Sequence, residues 1–196
     1  MRALVVYAHP SPESFGRALF ETAVGALRSA GHEVEALDLY EEGFEARLSR
    51  EEHLAYHSGD PILSMDVARH AELVKRAEML VFVYPTWWFG LPAVLKGWLE
   101  RVLVPGLGFV FDPNTGKVKP HLLGVRRIIG ISTYGATWRY TKLFNDAGRR
   151  TLTRALRLGC TGRARVTWLA MYRMDESTFQ RRTSFLARVD RALSAL

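Results

Sequence analysis

The chain has 196 residues, 48% of them apolar, which is enough to fill one substantial core and suits one domain over 1–196 rather than two. Its net charge of +7 is unevenly placed: residues 1–116 carry 10 Lys/Arg and 16 Asp/Glu, whereas residues 117–196 carry 17 and 4. No apolar run has the length of a membrane span or a secretory signal, and the single Cys160 has no partner for an internal disulfide, so a cytoplasmic protein is expected.

Arg2–Ala8 is a continuous apolar run rich in Val and Leu, the pattern of a strand buried on both faces. The polar loop His9–Gly16 follows, and Phe15–Ala30 has helical periodicity, with apolar residues at 15, 19, 23, 24 and 27 and Gly31 as terminator. Glu33–Leu39 reads as a second, more polar strand, nearer the edge of a sheet. Tyr40–Leu63 is acidic, patternless and longer than most connections, which marks a surface excursion with functional or dimer contacts. His53 and His57 lie four apart within it, but Glu52 stands outside the pair; this is not the H-E-x-x-H arrangement, and no metal site is expected.

Ser64–Glu78 is helical, with Val67, Ala71, Val74 and Ala77 facing inward, and Met79–Tyr84 is a third buried strand. It runs into Pro85–Leu91, whose Trp87, Trp88 and Phe89 are too aromatic for a solvated turn. Planar side chains next to backbone amides suit a wall for a flat heteroaromatic ligand; an aromatic core cluster or a subunit contact is the competing reading. A helix opens at Pro92 or Ala93 and runs to Val102. Pro105–Gly108 then leads through Phe109–Phe111, the turn segment Asp112–Gly116 and Lys117–His121 to a fourth strand, Val125–Ser132, which ends in the loop Thr133–Tyr140. Leu143–Leu158 is expected as one basic helix, with Arg149, Arg150, Arg154 and Arg157 on a solvated or partner-facing side, closed by Gly159. Arg163–Met171 supplies a fifth strand and Glu176–Leu193 a final helix.

This alternation implies an α/β three-layer sandwich, a five-stranded parallel sheet with helices on both faces. In the strand order 2-1-3-4-5 the ligand crevice lies at the carboxyl ends, between the first and third strands. The loops His9–Gly16, Pro85–Leu91 and Thr133–Tyr140 converge there, which favours the ligand wall. The first loop suits a phosphate: Ser14 offers a hydroxyl, Phe15 and Gly16 offer amides at a helix N-terminus, and His9 is a further donor. Ser14 as a plain N-cap is the simpler alternative, and the two roles are compatible. No G-x-G-x-x-G follows a strand and no G-x-x-x-x-G-K-S/T occurs, which disfavours a Rossmann dinucleotide and a P-loop nucleotide.

The opening H-P-S-P-E-S-F (residues 9–15), the segment Y-P-T-W-W-F-G-L-P-A-V-L-K-G-W-L-E-R-V (84–102) and I-S-T-Y-G (131–135) resemble, in order and spacing, the flavodoxin-like NAD(P)H:quinone oxidoreductase family. The resemblance implies a homodimer that carries FAD, or FMN in some members, and passes hydride from NADH or NADPH to the flavin and then to a quinone. Donor and acceptor would use one site in turn, a ping-pong scheme. By motif, His9, Ser14, Phe15 and Gly16 would hold the phosphate side of the flavin. Pro85, Thr86, Trp87, Trp88 and Phe89 would hold the isoalloxazine edge, largely through main-chain groups, and Thr133, Tyr134 and Gly135 would flank its other side. Tyr140 would be the catalytic tyrosine near the flavin carbonyls, and Phe109 and Phe111 would line the acceptor pocket of the dimer.

The chain departs from the pattern in three places. The better-known animal members have a histidine six residues after that tyrosine; here the position is Asp146, which would serve at most to orient Tyr140. Trp87 is bulkier than the usual residue, and Tyr134 replaces a glycine, so both are expected to crowd the flavin face. A flavin-binding regulatory subunit, of the kind related proteins provide to potassium efflux systems, is the alternative that a basic C-terminal region suits. Nucleic-acid binding is not expected, because no recognition helix or aromatic platform of known pattern is present.

Overall fold

The computed structural model describes residues 1–56, 61, 64–162 and 164–196; His57, and with it the His53–His57 pair, lies outside them. In chain order the elements are β1 (Arg2–Tyr7), α1 (Phe15–Ser29), β2 (Glu33–Asp38), α2 (Arg50–Ala55), α3 (Met65–Arg76), β3 (Met79–Thr86) and α4 (Ala93–Val102). These are followed by β4 (Phe109–Phe111), β5 (Val118–Pro120), β6 (Arg127–Tyr134), α5 (Trp138–Leu143), α6 (Ala147–Arg150), a π-helical stretch (Thr151–Leu156), β7 (Arg165–Met171) and α7 (Phe179–Ser194). The five long strands form one sheet in the order β2-β1-β3-β6-β7, with every pairing parallel. This is the expected 2-1-3-4-5 arrangement. β4 and β5 make a separate antiparallel hairpin.

Alternation along the strands divides the core between the two faces. Val5, Tyr7, Val81, Val83, Ile129 and Ile131 point to one side, where α1 and α7 cover them. Leu4, Val6, Leu80, Phe82, Tyr84 and Ile128 point to the other, against α3, α4 and the segment that contains Leu152 and Leu156. Among the described residues, no helix is long and apolar enough to cross a membrane.

Two boundaries differ from expectation. β3 continues through Pro85 and Thr86, and β6 through Thr133 and Tyr134, because Pro85 pairs with Thr133 and Thr86 with Tyr134. A proline is tolerated there because β1 has already ended: Tyr7 pairs with Val83, and the Val83 carbonyl accepts from Ala8 N–H. Two residues on, the Pro85 nitrogen faces the same open flank, where no ladder donor is required. The expected single basic helix over Leu143–Leu158 is instead broken. Asn145 (φ 71°) and Asp146 (φ 43°) are left-handed, a conformation that short polar side chains tolerate best.

Helix α4 fastens residues 42–52 and Ser64 to the body of the protein. A Cβ at Gly97 would come within 2.2 Å of the Ala46 carbonyl oxygen, so only glycine lets the two backbones approach so closely. Trp98 is fully buried and donates from Nε1 to His70 Nδ1 at 3.1 Å, while His70 Nε2 lies 2.8 Å from Glu42. Burial holds the His70 imidazole below its ordinary pKa, against the pull of Glu42; the ring is neutral and donates to the carboxylate. Arg101, buried, pairs with Glu52 at 2.6 Å and reaches Ser64 Oγ at 3.2 Å. Glu52 is also the third residue of a capping box on Ser49.

Gly97→Ala should therefore lower stability by about 1–3 kcal/mol through overpacking. Gly25→Ala, on an open position of α1, should raise it by about 0.5–1 kcal/mol. Urea unfolding of both variants checks the pair of signs.

Candidate functional site

The sheet's parallel register brings three segments together at the carboxyl ends of β1, β3 and β6. On the first, Ser14 caps α1: its Oγ accepts from Arg17 N–H at 3.1 Å and lies 3.0 Å from the buried Tyr7 hydroxyl. Capping engages the third amide of the helix, so Phe15 N–H and Gly16 N–H, in its first turn, have no acceptor among the described residues. Those two amides and the helix dipole form an anion seat. The ring of Phe15 faces the other way, 6.5 Å from Phe185 in the core. His9 Nδ1 accepts from Ser11 N–H at 3.0 Å, which leaves the proton of the neutral ring on Nε2, free to donate outward. Its ring lies 6.0 Å from that of Trp87.

The second segment is a tight turn. Gly90 N–H donates to the Trp87 carbonyl at 2.9 Å, and both central residues, Trp88 (φ 49°) and Phe89 (φ 57°), are left-handed. This is the I′ geometry that Asn-Gly pairs normally supply. Two aromatic residues held there cost about 1–2 kcal/mol each. Phe89 recovers part of this by stacking on Phe144 at 4.5 Å, and Gly148 packs its backbone against Gly90, where a Cβ would meet the carbonyl carbon at 3.0 Å. Trp88 has no such support: it is 98% exposed. The amides of Trp88 and Phe89 find no acceptor among the described residues.

The third segment is built differently from the expectation. Thr133 is half-buried at the strand end, and Ser132 Oγ lies 2.9 Å from Thr86 Oγ1, locking β6 to β3. The Tyr134 side chain, expected to crowd the crevice, is 1% exposed and lies beneath it: its ring stacks on Tyr172 at 4.7 Å, and its hydroxyl donates to Asp146 Oδ1 at 3.1 Å. Asp146 thus orients Tyr134 and not Tyr140. Tyr140 stands on α5 with 60% exposure and its ring turned outward. Phe109 and Phe111 are not brought to the crevice of the single chain. They meet edge to face at 5.6 Å in the hairpin, and Phe109 lines an apolar cavity of about 590 Å³ together with Leu99, Leu103, Val118 and Leu156.

A fourth segment, 172–175, borders the site without any sequence signal. Met174 N–H donates to the Tyr134 carbonyl at 2.9 Å, Arg173 N–H to Ala136 at 3.2 Å, and Asp175 approaches Gly135, where a Cβ would meet its Oδ2 at 2.7 Å. Tyr7, Ser132, Asp146 and Gly148 are likewise residues whose part in the site only the folded chain reveals. Two of them had a signal: Tyr7, as a polar-tipped side chain ending a buried strand, and Asp146, six residues after Tyr140, though its partner Tyr134 was not foreseen. Taken together, four unpaired amides, the His9 donor and the exposed indoles of Trp87 and Trp88 fit a flat, phosphate-bearing heteroaromatic group such as a flavin. Among the described residues no cluster suits a metal ion.

Residues 1–194 match the family model described as Flavodoxin-like fold. NAD(P)H dehydrogenase (quinone) 1 of Rattus norvegicus is 39% identical over 157 residues, 71% of this chain and 56% of that protein. Ribosyldihydronicotinamide dehydrogenase (quinone) of Mus musculus is 34% identical over 158 residues, 72% of this chain and 67% of that protein. The chain therefore spans between about half and two thirds of the length of these curated relatives. Among solved structures, the NAD(P)H:quinone oxidoreductase from Methanothermobacter marburgensis superposes with a TM-score of 0.83 at 28% identity, covering 99% of this chain and 98% of that one.

Burial holds the Asp146 carboxyl above its ordinary pKa, against the Tyr134 hydrogen bond and the nearby Arg149. A carboxyl raised in the folded state adds stability at low pH and loses that contribution as pH rises through the folded pKa. Asp146→Asn keeps an acceptor for Tyr134 and removes the buried charge. It should be more stable than the parent at pH 7, with the difference shrinking as pH falls toward the ordinary carboxylate range, read by urea titrations across pH. Trp88→Gly should gain about 1 kcal/mol by relieving the left-handed strain, measured the same way.

Proposed function

The chain belongs to the flavodoxin-like NAD(P)H:quinone oxidoreductase family, and on that premise we propose that it is a flavin-dependent NAD(P)H oxidoreductase acting on quinone-like acceptors. Donor and acceptor take the same face in turn, so the kinetics are ping-pong. Bound flavin supplies the two-electron hydride relay between nicotinamide and acceptor. The observation that carries the reading is the Trp87–Gly90 turn, strained to hold an indole in solvent beside unpaired amides at the switch point of the sheet.

In this reading His9, Ser14, Phe15 and Gly16 bind the phosphate side of the cofactor, the last two through their amides. Pro85, Thr86, Trp87, Trp88 and Phe89 hold the ring edge, and Thr133, Gly135 and the Tyr134 main chain bound the opposite side. Amide donors aimed at the edge stabilise negative charge that develops there, and Tyr140, on the rim, adds a hydroxyl. The cofactor is FAD, with FMN as the alternative. The protein is a cytoplasmic homodimer in which Phe109, Phe111 and the apolar cavity beside them complete the acceptor pocket against a second copy. Support for the dimer comes from the apolar lining of that cavity and from the exposed Leu158, Val118 and Trp88.

The visible spectrum of the purified protein, before and after anaerobic NADPH and then a quinone, tests the reading. Flavin absorbance that bleaches with the donor and returns with the acceptor is expected, and mass spectrometry of the released chromophore separates FAD from FMN. A protein that neither contains nor takes up flavin sinks the proposal. Trp88→Ala should retain flavin less tightly by roughly ten-fold, the loss of about 1–2 kcal/mol of ring contact; equilibrium dialysis of added flavin measures it.

A further inference from the structure

The break in the expected basic helix assembles a cationic pocket. Six of the residues 139–157 are Lys or Arg, and only Asp146 is acidic. Because the chain turns at Asn145 and Asp146, Lys142 and Asn145 line one cavity of about 240 Å³ with Arg149, Arg150, Thr153 and Arg154 from the following helical segment. Some guanidinium groups elsewhere are matched by acids, among them Arg17 with Asp38 and Glu21, Arg69 with Glu42 and Arg101 with Glu52, and others are scattered singly; here the cations share one cavity. None of Lys142, Arg149, Arg150 and Arg154 has a side-chain ion pair among the described residues. Two are steered by aromatic faces instead, with Lys142 Nζ 4.3 Å from the centroid of Trp138 and the Arg149 guanidinium 5.7 Å from that of Trp168. The one acid in the pocket turns its Oδ1 inward to Tyr134.

Position separates this pocket from a merely solvated basic face. The segment that forms it abuts the aromatic turn: Phe144 stacks on Phe89, Gly148 N–H approaches the Phe89 carbonyl at 3.4 Å, and the Gly148 Cα lies against Gly90. The segment that carries the pocket is thus the one that braces the aromatic turn. The amides at the start of α1, the other anion seat, are already assigned to the cofactor, so a second phosphate-bearing molecule must be held elsewhere.

From this juxtaposition we infer that Arg150 and Arg154, with Lys142, Asn145 and Thr153, form a phosphate-binding subsite for the nicotinamide dinucleotide donor. The inference rests on the oxidoreductase reading above and adds to it the part of the chain that grips the donor. Planar guanidinium groups bind phosphate oxygens in pairs, and a dianionic phosphate monoester meets this charge best. The 2′-phosphate of NADPH is such a group; the pyrophosphate common to NADH and NADPH is the other source of the same chemistry.

The test is calorimetric titration of the full chain with 2′,5′-ADP, 2′-AMP and 5′-AMP, repeated with the double variants R150Q/R154Q and R150K/R154K. Saturable binding of 2′,5′-ADP is expected, weakened about ten-fold or more by the glutamine pair, as for loss of a charge-assisted hydrogen bond, and largely kept by the lysine pair. Preference for 2′-AMP over 5′-AMP assigns the 2′-phosphate; equal binding assigns the pyrophosphate. Binding that the glutamine pair leaves unmoved, or none at millimolar ligand, overturns the inference, as does binding of a short DNA duplex at this pocket in preference to the nucleotides. Turnover separates this from the parent reading. Nucleotide binding without NADPH oxidation keeps the pocket and removes the reductase. A reductase whose KM for NADPH is unchanged in R150Q/R154Q, measured beside the phosphate-free donor dihydronicotinamide riboside, keeps the enzyme and removes the pocket.

Discussion

Strand β3 leaves the sheet laddered on one flank only, and the site depends on that asymmetry. β1 has ended at Tyr7, opposite Val83, while β6 continues beside β3 to Tyr134. A proline can therefore enter the strand, and the chain emerges over the gap above β1 with four residues in which to turn before Leu91 and α4. A turn this short with both central residues left-handed is stable only if its surroundings fix it. Phe144 and Gly148 supply that support from one side and the Thr86–Ser132 hydroxyl pair from beneath.

The segment after the turn serves architecture more than chemistry. Gly97 permits the approach of the excursion, Trp98 donates into the His70–Glu42 chain, and Arg101 neutralises Glu52 in a nearly dry setting. A buried pair of this kind contributes little net stability against an apolar replacement, yet losing one partner is costly. It acts as a register pin, holding Glu45, Glu52 and Ser64 against α4. A motif that reads as one functional unit thus divides physically, with residues 85–90 at the crevice and Tyr84 and residues 97–102 in the scaffold.

Asp146 marks where a local departure in sequence becomes a change of structure. Left-handed and buried, it takes the Tyr134 hydroxyl that would otherwise lack an acceptor in the core, and it stops a helix that would have carried Arg149 and Arg150 past the crevice. The charge asymmetry of the chain gains a location from this. Lys142 of α5 is brought to one cavity with Arg149, Arg150 and Arg154, on the segment that braces the aromatic turn.

Much of the fold was legible from residues 1–196 alone. Apolar runs such as Arg2–Ala8 and Met79–Tyr84 determine buried parallel strands, because only a strand covered on both faces tolerates them. Ser14 before an amphipathic run determines the start of α1, and the aromatic excess of Trp87–Phe89 marks a surface built for contact. Tertiary structure decided the rest. Periodicity has no term for the neighbour that ends a ladder, so the extension of β3 through Pro85 was hidden. Composition shows that Tyr134 is large but not that its ring turns under the sheet end to meet Asp146, twelve residues on. The 172–175 segment joins the site through backbone hydrogen bonds to Tyr134 and Ala136, which any sequence could make, and through the Tyr172 ring and Asp175 carboxylate, whose partners no local pattern announces. Local pattern determines which elements form; which side chains meet at their ends is set by register and packing between segments far apart in the chain.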